Sequence, residues 1–158
     1  MNFDDLDLCN DSLVIYSEHP IRVLRDRSAE QGIDIRPFGL WYGVGEGWVA
    51  RAEATGEWYE DTRYLYELRF DPQLDAILRV DTEERLANFA RRFEVVLMSG
   101  MRLVDWGKVA RTYDGVQFAP FMPHMADRYP WYAQMEVSSG CVWNPESIAS
   151  VALVYAVK

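Results

Sequence analysis

The pattern of apolar and polar positions predicts a chain in which short strands outnumber helices. The clearest strand is Tyr64–Phe70, where every second side chain is apolar or aromatic, as expected for a strand with one buried face. Further strands are predicted at residues 13–16, 40–42, 76–80, 116–119, 135–143 and 150–157. The last of these is apolar on both faces, which is typical of a strand in the middle of a sheet.

Helical spacing appears in fewer segments. A capping motif at residues 81–84 precedes an apolar stripe, which predicts a helix over residues 82–93. A second helix is predicted over residues 105–112, with Trp106, Val109 and Tyr113 buried against a sheet. Weaker patterns predict a short helix at residues 21–27 and a mixed helical segment at 48–59. Few helices among more numerous strands indicate an α+β fold.

The length of 158 residues fits a single domain over residues 1–158, and no linker or internal repeat divides the chain. Residues 1–11 contain four aspartates and no basic residue, so we expect a solvated, frayed N-terminus. Residues 120–130 contain three prolines and are predicted to form a long irregular loop. Loops of that length are uncommon unless they are functional.

The charge balance narrows the classes of partner. Sixteen basic against twenty-five acidic residues give a net charge of −9, which argues against nucleic-acid binding through a broad basic face. The same charge disfavours an acidic membrane surface as a partner. No apolar stretch approaches the roughly 20 residues that a membrane-spanning helix needs. We therefore expect a cytoplasmic protein that does not bind membranes.

The residue types that bind metals are scarce. Two cysteines and two histidines without ligand spacing predict neither a disulfide framework nor a zinc site. Cys141 has no basic neighbour in sequence that would activate it, so we expect a buried apolar role. Aromatic residues make up 14% of the chain, enough for either a dense core or a cleft that binds a ring.

The C-terminal third carries a resemblance to a known family. The segment Tyr113-Asp114-Gly115-Val116, an irregular loop and then residues 141–151 resemble the tail of small ADP-ribosyltransferase domains. Segments at residues 39–41, 105–106 and 139–144 also resemble small proteins of bacteria and their phages. The resemblance implies an ADP-ribosyltransferase-like fold with small split or mixed β-sheets and a few short helices.

The resemblance implies an activity as well. Such enzymes use NAD as a substrate and transfer its ADP-ribose to a macromolecular target, for which a protein is expected here. The family's catalytic glutamate falls at Ser139, and the nearest acid is Glu136, which becomes the candidate catalytic residue. On a regular strand these two side chains would lie on opposite faces. A bulge is therefore needed to place the Glu136 side chain on the same face as Ser139.

The resemblance also suggests which residues contact NAD. The candidates are Tyr16, Arg22, Trp41, Tyr42 and Ser139. Trp41 or Tyr42 would stack on the nicotinamide, and Arg22 would bind the pyrophosphate, which suits the planar guanidinium group.

A second hypothesis uses the same scaffold without catalysis. The net charge of −9 gives a negative field that speeds association with basic partners. A small acidic interaction or inhibitor protein of phage or bacterial origin would have these properties, and Ser139 in place of the glutamate favours it. The aromatic-rich residues 118–132 would then form the contact surface or a packed lid.

Overall fold

The computed structural model describes residues 11–45, 47 and 63–156, and these form an α+β fold, as predicted. Their strands are β1 (Leu13–Ser17), β2 (Ile33–Asp34), β3 (Leu40–Val44), β4 (Tyr64–Phe70), β5 (Ile77–Val80), β6 (Glu94–Val96), β7 (Arg102–Asp105), β8 (Gly115–Phe118), β9 (Ser139–Val142) and β10 (Ile148–Ala156). The α-helices that lie entirely within the described residues are α1 (Glu83–Phe93), α2 (Trp106–Ala110) and α3 (Pro130–Ala133). The helical segment predicted at 48–59 and residues 1–10 of the acidic N-terminus lie outside the described residues.

Most of the strands belong to one mixed sheet. Its seven strands lie in the order β10-β4-β1-β3-β9-β8-β5. Neighbours in this sheet are antiparallel, except that β5 runs parallel to β8. A second sheet of three antiparallel strands has the order β2-β7-β6. Neighbouring strands of the large sheet therefore come from distant parts of the chain.

The large sheet carries a core on each face. The larger core is built by the helices and aromatic side chains such as Phe89, Trp106 and Trp131. The opposite face carries a smaller core that includes Ile15 and Tyr42. Burial of large aromatic side chains on both faces makes the sheet the rigid centre of the fold.

Helix α1 begins as its sequence predicts. The Thr82 side chain accepts a hydrogen bond from the Arg85 backbone N–H, which satisfies a donor that the first turn leaves open. Acidic residues occupy the first turn and arginines the last, an order that complements the helix dipole. The predicted stripe of Leu86, Phe89 and Phe93 is buried in the larger core.

Helix α2 buries Trp106 and Val109 completely, as predicted. It ends earlier than predicted, at Ala110, so Tyr113 lies beyond the helix and is half-buried instead of buried. The Asp105 side chain caps it by accepting from the Lys108 backbone N–H. The Trp106 indole N–H donates to the Asp34 carbonyl oxygen, 3.2 Å away. This bond links the small sheet to the larger core.

The strand predicted at residues 135–143 is wrong over its first half. Strand β9 begins at Ser139, and Glu136 precedes it with a φ of 64°. That left-handed conformation interrupts an extended chain. The Val137 N–H donates to the Met135 carbonyl oxygen in a tight turn, so the apolar residues before β9 reach the core from a turn and not from a strand.

The helix predicted at residues 21–27 is also wrong. This segment has no helical turn, and the backbone N–H groups at its two ends bond to distant residues. The Ile21 N–H donates to the Tyr66 hydroxyl, and the Arg27 N–H donates to the Trp143 carbonyl oxygen. These long-range bonds hold the segment across the sheet, and its apolar spacing gave no indication of them.

The position predicted for the last strand needs a correction. Its apolar character on both faces favoured the middle of a sheet, but β10 lies at an edge and pairs with β4. Leu153 and Val154 are exposed there. Pairing irregularities near both ends of β10 accompany this edge position, as is common for edge strands.

The predicted irregular loop at 120–130 is packed against the rest of the protein. It contains a short 3₁₀ turn, Pro123–Met125, and buries Met122 and Met125 in the larger core. The Met122 N–H donates to the Tyr132 hydroxyl. This segment therefore covers the core as a lid.

Gly140 permits a close contact that we expect to be sensitive to substitution. A Cβ atom at Gly140 would lie 2.3 Å from the Tyr42 ring, whereas one at Gly32 would meet nothing within 4 Å. We expect Gly140→Ala to lower the free energy of unfolding by about 1–3 kcal/mol through overpacking. Chemical denaturation measures this, with Gly32→Ala as the matched control. Equal effects of the two substitutions would contradict the contact.

Candidate functional site

The central sheet opens between β1 and β3. These strands pair at two positions, Leu13 with Val44 and Val14 with Gly43. Beyond them, β1 continues to pair with β4 as far as Ser17, and β3 pairs with β9 from Leu40. The end of β1 and the beginning of β3 therefore separate, and we call this opening the split.

A cleft of about 320 Å³ lies at the split, a size at the lower end of the range for small-molecule sites. Its apolar part includes Leu40, Val142 and Ile148. The described residues that line it are Ser17, His19, Pro20, Ile21, Arg22, Val23, Leu24, Arg25, Arg27, Gly39, Leu40, Val142, Pro145 and Ile148. Three arginines and no carboxylate are among them, so the described lining is basic although the chain is acidic overall.

The arginines of the cleft differ in their availability. Arg22 and Arg25 are exposed. Arg27 is half-buried, pairs with Glu30 at 2.5 Å and lies over the Phe38 ring. Arg22 and Arg25 are therefore the better placed to bind an anionic ligand, through the charge-assisted hydrogen bonds that guanidinium groups form with phosphates.

Three of the predicted cofactor residues share one face of the sheet. Gly43 is opposite both Val14 and Ser139 in the pairing of β3 with β1 and β9. Because side chains alternate along a strand, Tyr16 and Trp41 lie on the same face as Ser139. This is the face of the larger core, which also contains Cys141.

Tyr42 lies on the opposite face and is 1% exposed. Its hydroxyl donates to Gln117 Oε1 at 2.9 Å, and its ring lies directly over Gly140. Burial raises the pKa of Tyr42 above its ordinary value. In this position Tyr42 is a core residue, and a ligand ring does not reach it.

Ser139 brings a polar group into an apolar setting. The residue is fully buried, and its hydroxyl has no hydrogen-bond partner among the described residues. The adjacent Ser138 behaves differently, since its hydroxyl accepts from the Phe121 N–H. An unsatisfied buried hydroxyl costs stability, but Ser139 is as inaccessible as Tyr42, so a ligand reaches this hydroxyl only where the packing over it opens.

Tyr16 and Trp41 lie at the split itself, and both are half-buried. Burial raises the pKa of the Tyr16 hydroxyl, so this hydroxyl stays protonated at neutral pH and is able to donate a hydrogen bond. Trp41 packs partly against the larger core. The two side chains therefore combine partial exposure with a fixed position on the sheet.

Glu136 is not part of this group. It lies on the exposed turn before β9, whereas the other end of β9, at Val142, lines the cleft. The four residues of the strand separate the two ends by about 10 Å. Tyr16 and Trp41 thus lie at the split on the face of the larger core, whereas Ser17, Leu40 and Val142 line the cleft from the opposite face. Ser139 lies at the paired end of β3, opposite Gly43 and about 10 Å along β9 from Val142. The lining of the cleft includes neither Glu136 nor Ser139 nor Tyr42.

Sequence reasoning missed part of the cleft. Arg25 and Arg27 follow Arg22 within one short segment of a chain that is otherwise rich in acidic residues, and that local basic cluster was a usable signal. The apolar lining was not detectable, because it depends on the separation of β1 from β3 and on the long-range bonds of residues 21–27.

Other chemistry finds little support within the described ranges. Cys141 is fully buried, and burial raises the pKa of its thiol, which disfavours the reactive thiolate. The described residues contain no group of three or more His, Cys, Asp or Glu side chains placed to hold a metal ion. No helix in the described part of the chain is both long and apolar enough to cross a membrane.

The chain matches none of the family models, curated proteins or solved structures with which it was compared. The geometry of the split is therefore the principal evidence on function.

Proposed function

We propose that this protein is ADP-ribosyltransferase-like, binds NAD at the split and transfers ADP-ribose to a macromolecular target, with a protein as the expected class. One observation carries the proposal. The first strand, the aromatic strand and the strand of the expected glutamate are distant in sequence but adjacent in the sheet as β1, β3 and β9. Tyr16, Trp41 and Ser139 share one face of these strands, and the basic cleft opens on the other face of the same strands.

The residues of the split suit different parts of NAD. Arg22 is placed to bind the pyrophosphate, since a guanidinium group offers paired donors to phosphate oxygens. Trp41 offers a ring for the nicotinamide. The hydroxyls of Tyr16 and Ser139 are suited to hydrogen-bond the carboxamide or the ribose that adjoins it. The Ser139 hydroxyl, which is fully buried, would gain this partner only after the packing over it opens.

Transfer requires more than binding. The bond between the ribose C1′ and the nicotinamide nitrogen breaks, nicotinamide leaves, and a nucleophile of the target bonds to C1′. The positive charge that develops on the ribose is stabilised by a nearby carboxylate. In this proposal Glu136 supplies it. Because Glu136 lies on a turn beside the start of β9, the turn has to fold toward Ser139 when NAD binds.

Calorimetric titration with NAD tests the binding step. We expect wild-type protein to bind NAD and Arg22→Ala to raise the Kd about tenfold, the effect of losing one charge-assisted hydrogen bond. Arg111→Ala is the control. Arg111 is exposed at the end of α2, and its substitution removes the same charge from the protein. Absence of binding by the wild-type protein would overturn the proposal.

A non-enzymatic acidic interaction protein is the second candidate. It is favoured by the position of Glu136 outside the split and by Ser139 at the place of the family's glutamate. The net charge of −9 suits a basic protein partner. NAD binding with nicotinamide release distinguishes the enzyme from this candidate, because an inert scaffold releases no nicotinamide.

A further inference from the structure

A second concave site lies at the edge of the central sheet that β5 forms. Strands β9 and β8 separate this edge strand from β3 at the split. Strand β5 forms that edge in the described part of the chain, and α1 runs beside it. Between them is a groove of about 260 Å³. Its lining residues are Leu78, Arg79, Val80, Arg85, Asn88, Phe89, Arg92 and Phe93. The proposed NAD site uses none of these residues.

The helical wall of the groove is basic. Arg85 and Arg92 are two turns apart on α1, which separates them by about 10 Å along the helix axis. Arg85 pairs with Asp81 at an exposed position, and such a pair is weak and exchangeable. Within the described residues Arg92 has no carboxylate partner, and its guanidinium lies 4.8 Å from the centre of the Phe93 ring. Both arginines are thus able to bind an incoming carboxylate.

The strand wall offers backbone groups. The Ile77 N–H donates to Asp75 Oδ1, and the Ile77 carbonyl oxygen accepts from the Arg79 side chain. These bonds show that the Ile77 backbone groups point away from the sheet. Because hydrogen-bonding direction alternates along a strand, the N–H and carbonyl of Arg79 point the same way. Among the described residues no backbone group pairs with them.

We propose that this groove binds an extended acidic segment of a partner protein, which adds to β5 as a further strand. Backbone pairing with Arg79 would fix the segment beside the edge. In an extended chain, side chains on one face recur every ~7 Å, so alternate carboxylates are able to reach both Arg85 and Arg92.

Several features favour a peptide over a nucleic acid. The Phe89 and Phe93 rings are buried, so they offer no face on which a base could stack. An open strand edge offers alternating backbone N–H and carbonyl groups, which pair with the backbone of another polypeptide and not with a nucleotide. The net charge of −9 also repels a nucleic acid, which carries a charge at every phosphate, more strongly than a short segment with a few carboxylates.

A fluorescein-labelled peptide, Glu-Val-Glu-Val-Glu-Val-Glu, is a suitable probe for the full-length protein. We expect saturable binding by fluorescence anisotropy, with NMR shift changes confined to the amides of β5 and α1. The lysine analogue of the peptide should not bind. Absence of binding up to ~1 mM peptide, or shift changes elsewhere in the protein, would overturn the proposal.

Charge reversal tests the helical wall. We expect Arg92→Glu to raise the Kd of the peptide at least about tenfold, because a charge-assisted hydrogen bond is replaced by repulsion. Arg111→Glu is the matched control, since it makes the same charge change at an exposed position near the end of another helix. Equal weakening by both variants would indicate a general charge effect and contradict a defined groove.

Strand addition has its own test. Arg79→Pro removes the outward N–H, and edge strands tolerate proline. Arg79→Ala removes only the side chain. We expect the proline variant to lose peptide binding at least tenfold relative to the alanine variant, with both checked for an unchanged fold by NMR. Equal peptide affinities of the proline and alanine variants would contradict strand addition. If inorganic phosphate displaced the labelled peptide as effectively as unlabelled peptide does, the groove would be a simple anion site, which would also contradict strand addition. NAD titration of the same variants keeps this result separate from the proposed function.

Discussion

Replacing Trp106 by alanine is expected to lower the free energy of unfolding by about 3–5 kcal/mol, the range for truncation of a buried aromatic. The side chain is fully buried, and its ring centre lies 5.8 Å from that of Phe89 and 6.3 Å from that of Trp143. Alanine would leave a cavity at this junction. It would also remove the bond from the indole to the Asp34 carbonyl oxygen, which links the small sheet to the core.

Chemical denaturation followed by circular dichroism measures this loss. Trp106→Phe provides a graded comparison, because it keeps an aromatic ring and removes the hydrogen bond and part of the side-chain volume. We expect it to lower the free energy of unfolding less than Trp106→Ala does. Arg111→Ala, at the exposed end of the same helix, should leave stability within about 0.5 kcal/mol. A Trp106→Ala variant as stable as wild type would show that α2 does not anchor the core.

Replacing Glu136 by glutamine is expected to reduce nicotinamide release from NAD by about 10²–10³-fold, the usual effect of losing one electrostatic group that stabilises a transition state. Glutamine keeps the shape of the side chain and removes its charge. The Kd for NAD should change little, because binding in the proposed function depends on Arg22, Trp41 and Ser139. The effect therefore belongs to turnover and not to affinity.

The measurement pairs a nicotinamide-release assay with calorimetric titration of NAD. Glu146→Gln is the control. Glu146 is an exposed acid on a short turn after β9, and its substitution changes the net charge by the same amount as Glu136→Gln. Turnover that survives Glu136→Gln would remove Glu136 from the mechanism. Wild-type protein that binds NAD without releasing nicotinamide would favour the inert interaction protein.

Elements with a complete local signal were predictable from the sequence. Strand β4 has the predicted bounds because its alternation extends over seven residues. Helix α1 was predicted because a cap and an apolar stripe coincide, and helix α2 was predicted from its apolar stripe. In these cases the local pattern and the tertiary packing agree.

Elements that depend on distant partners were not predictable. Strands β2, β6 and β7 are two to four residues long, too short for alternation to be recognised. Residues 21–27 had helical spacing, yet bonds to Tyr66 and Trp143 hold them extended. At β10, apolar residues on both faces suggested a central strand, although the sequence contains no information on which side remains unpaired.

The candidate site divides in the same way. Sequence resemblance selected Tyr16, Arg22, Trp41 and Ser139. Tyr16 and Trp41 lie at the split and Arg22 lines the cleft, whereas Ser139 lies opposite Gly43, at the paired end of β3. The split itself arises from the register of β1 against β3, which a single sequence does not specify. The left-handed turn at Glu136 was likewise hidden, because glutamate rarely adopts that conformation.

The order of strands in the central sheet also bears on synthesis of the protein. Strand β3 pairs mainly with β9, and β4 pairs with β10. During synthesis, β3 and β4 therefore leave the ribosome well before the strands with which they pair. Such nonlocal pairing slows folding, and until β9 emerges, buried residues such as Tyr42 and Leu68 are left without their cover. Nascent chains that stall before β9 are therefore the form most exposed to proteases and chaperones.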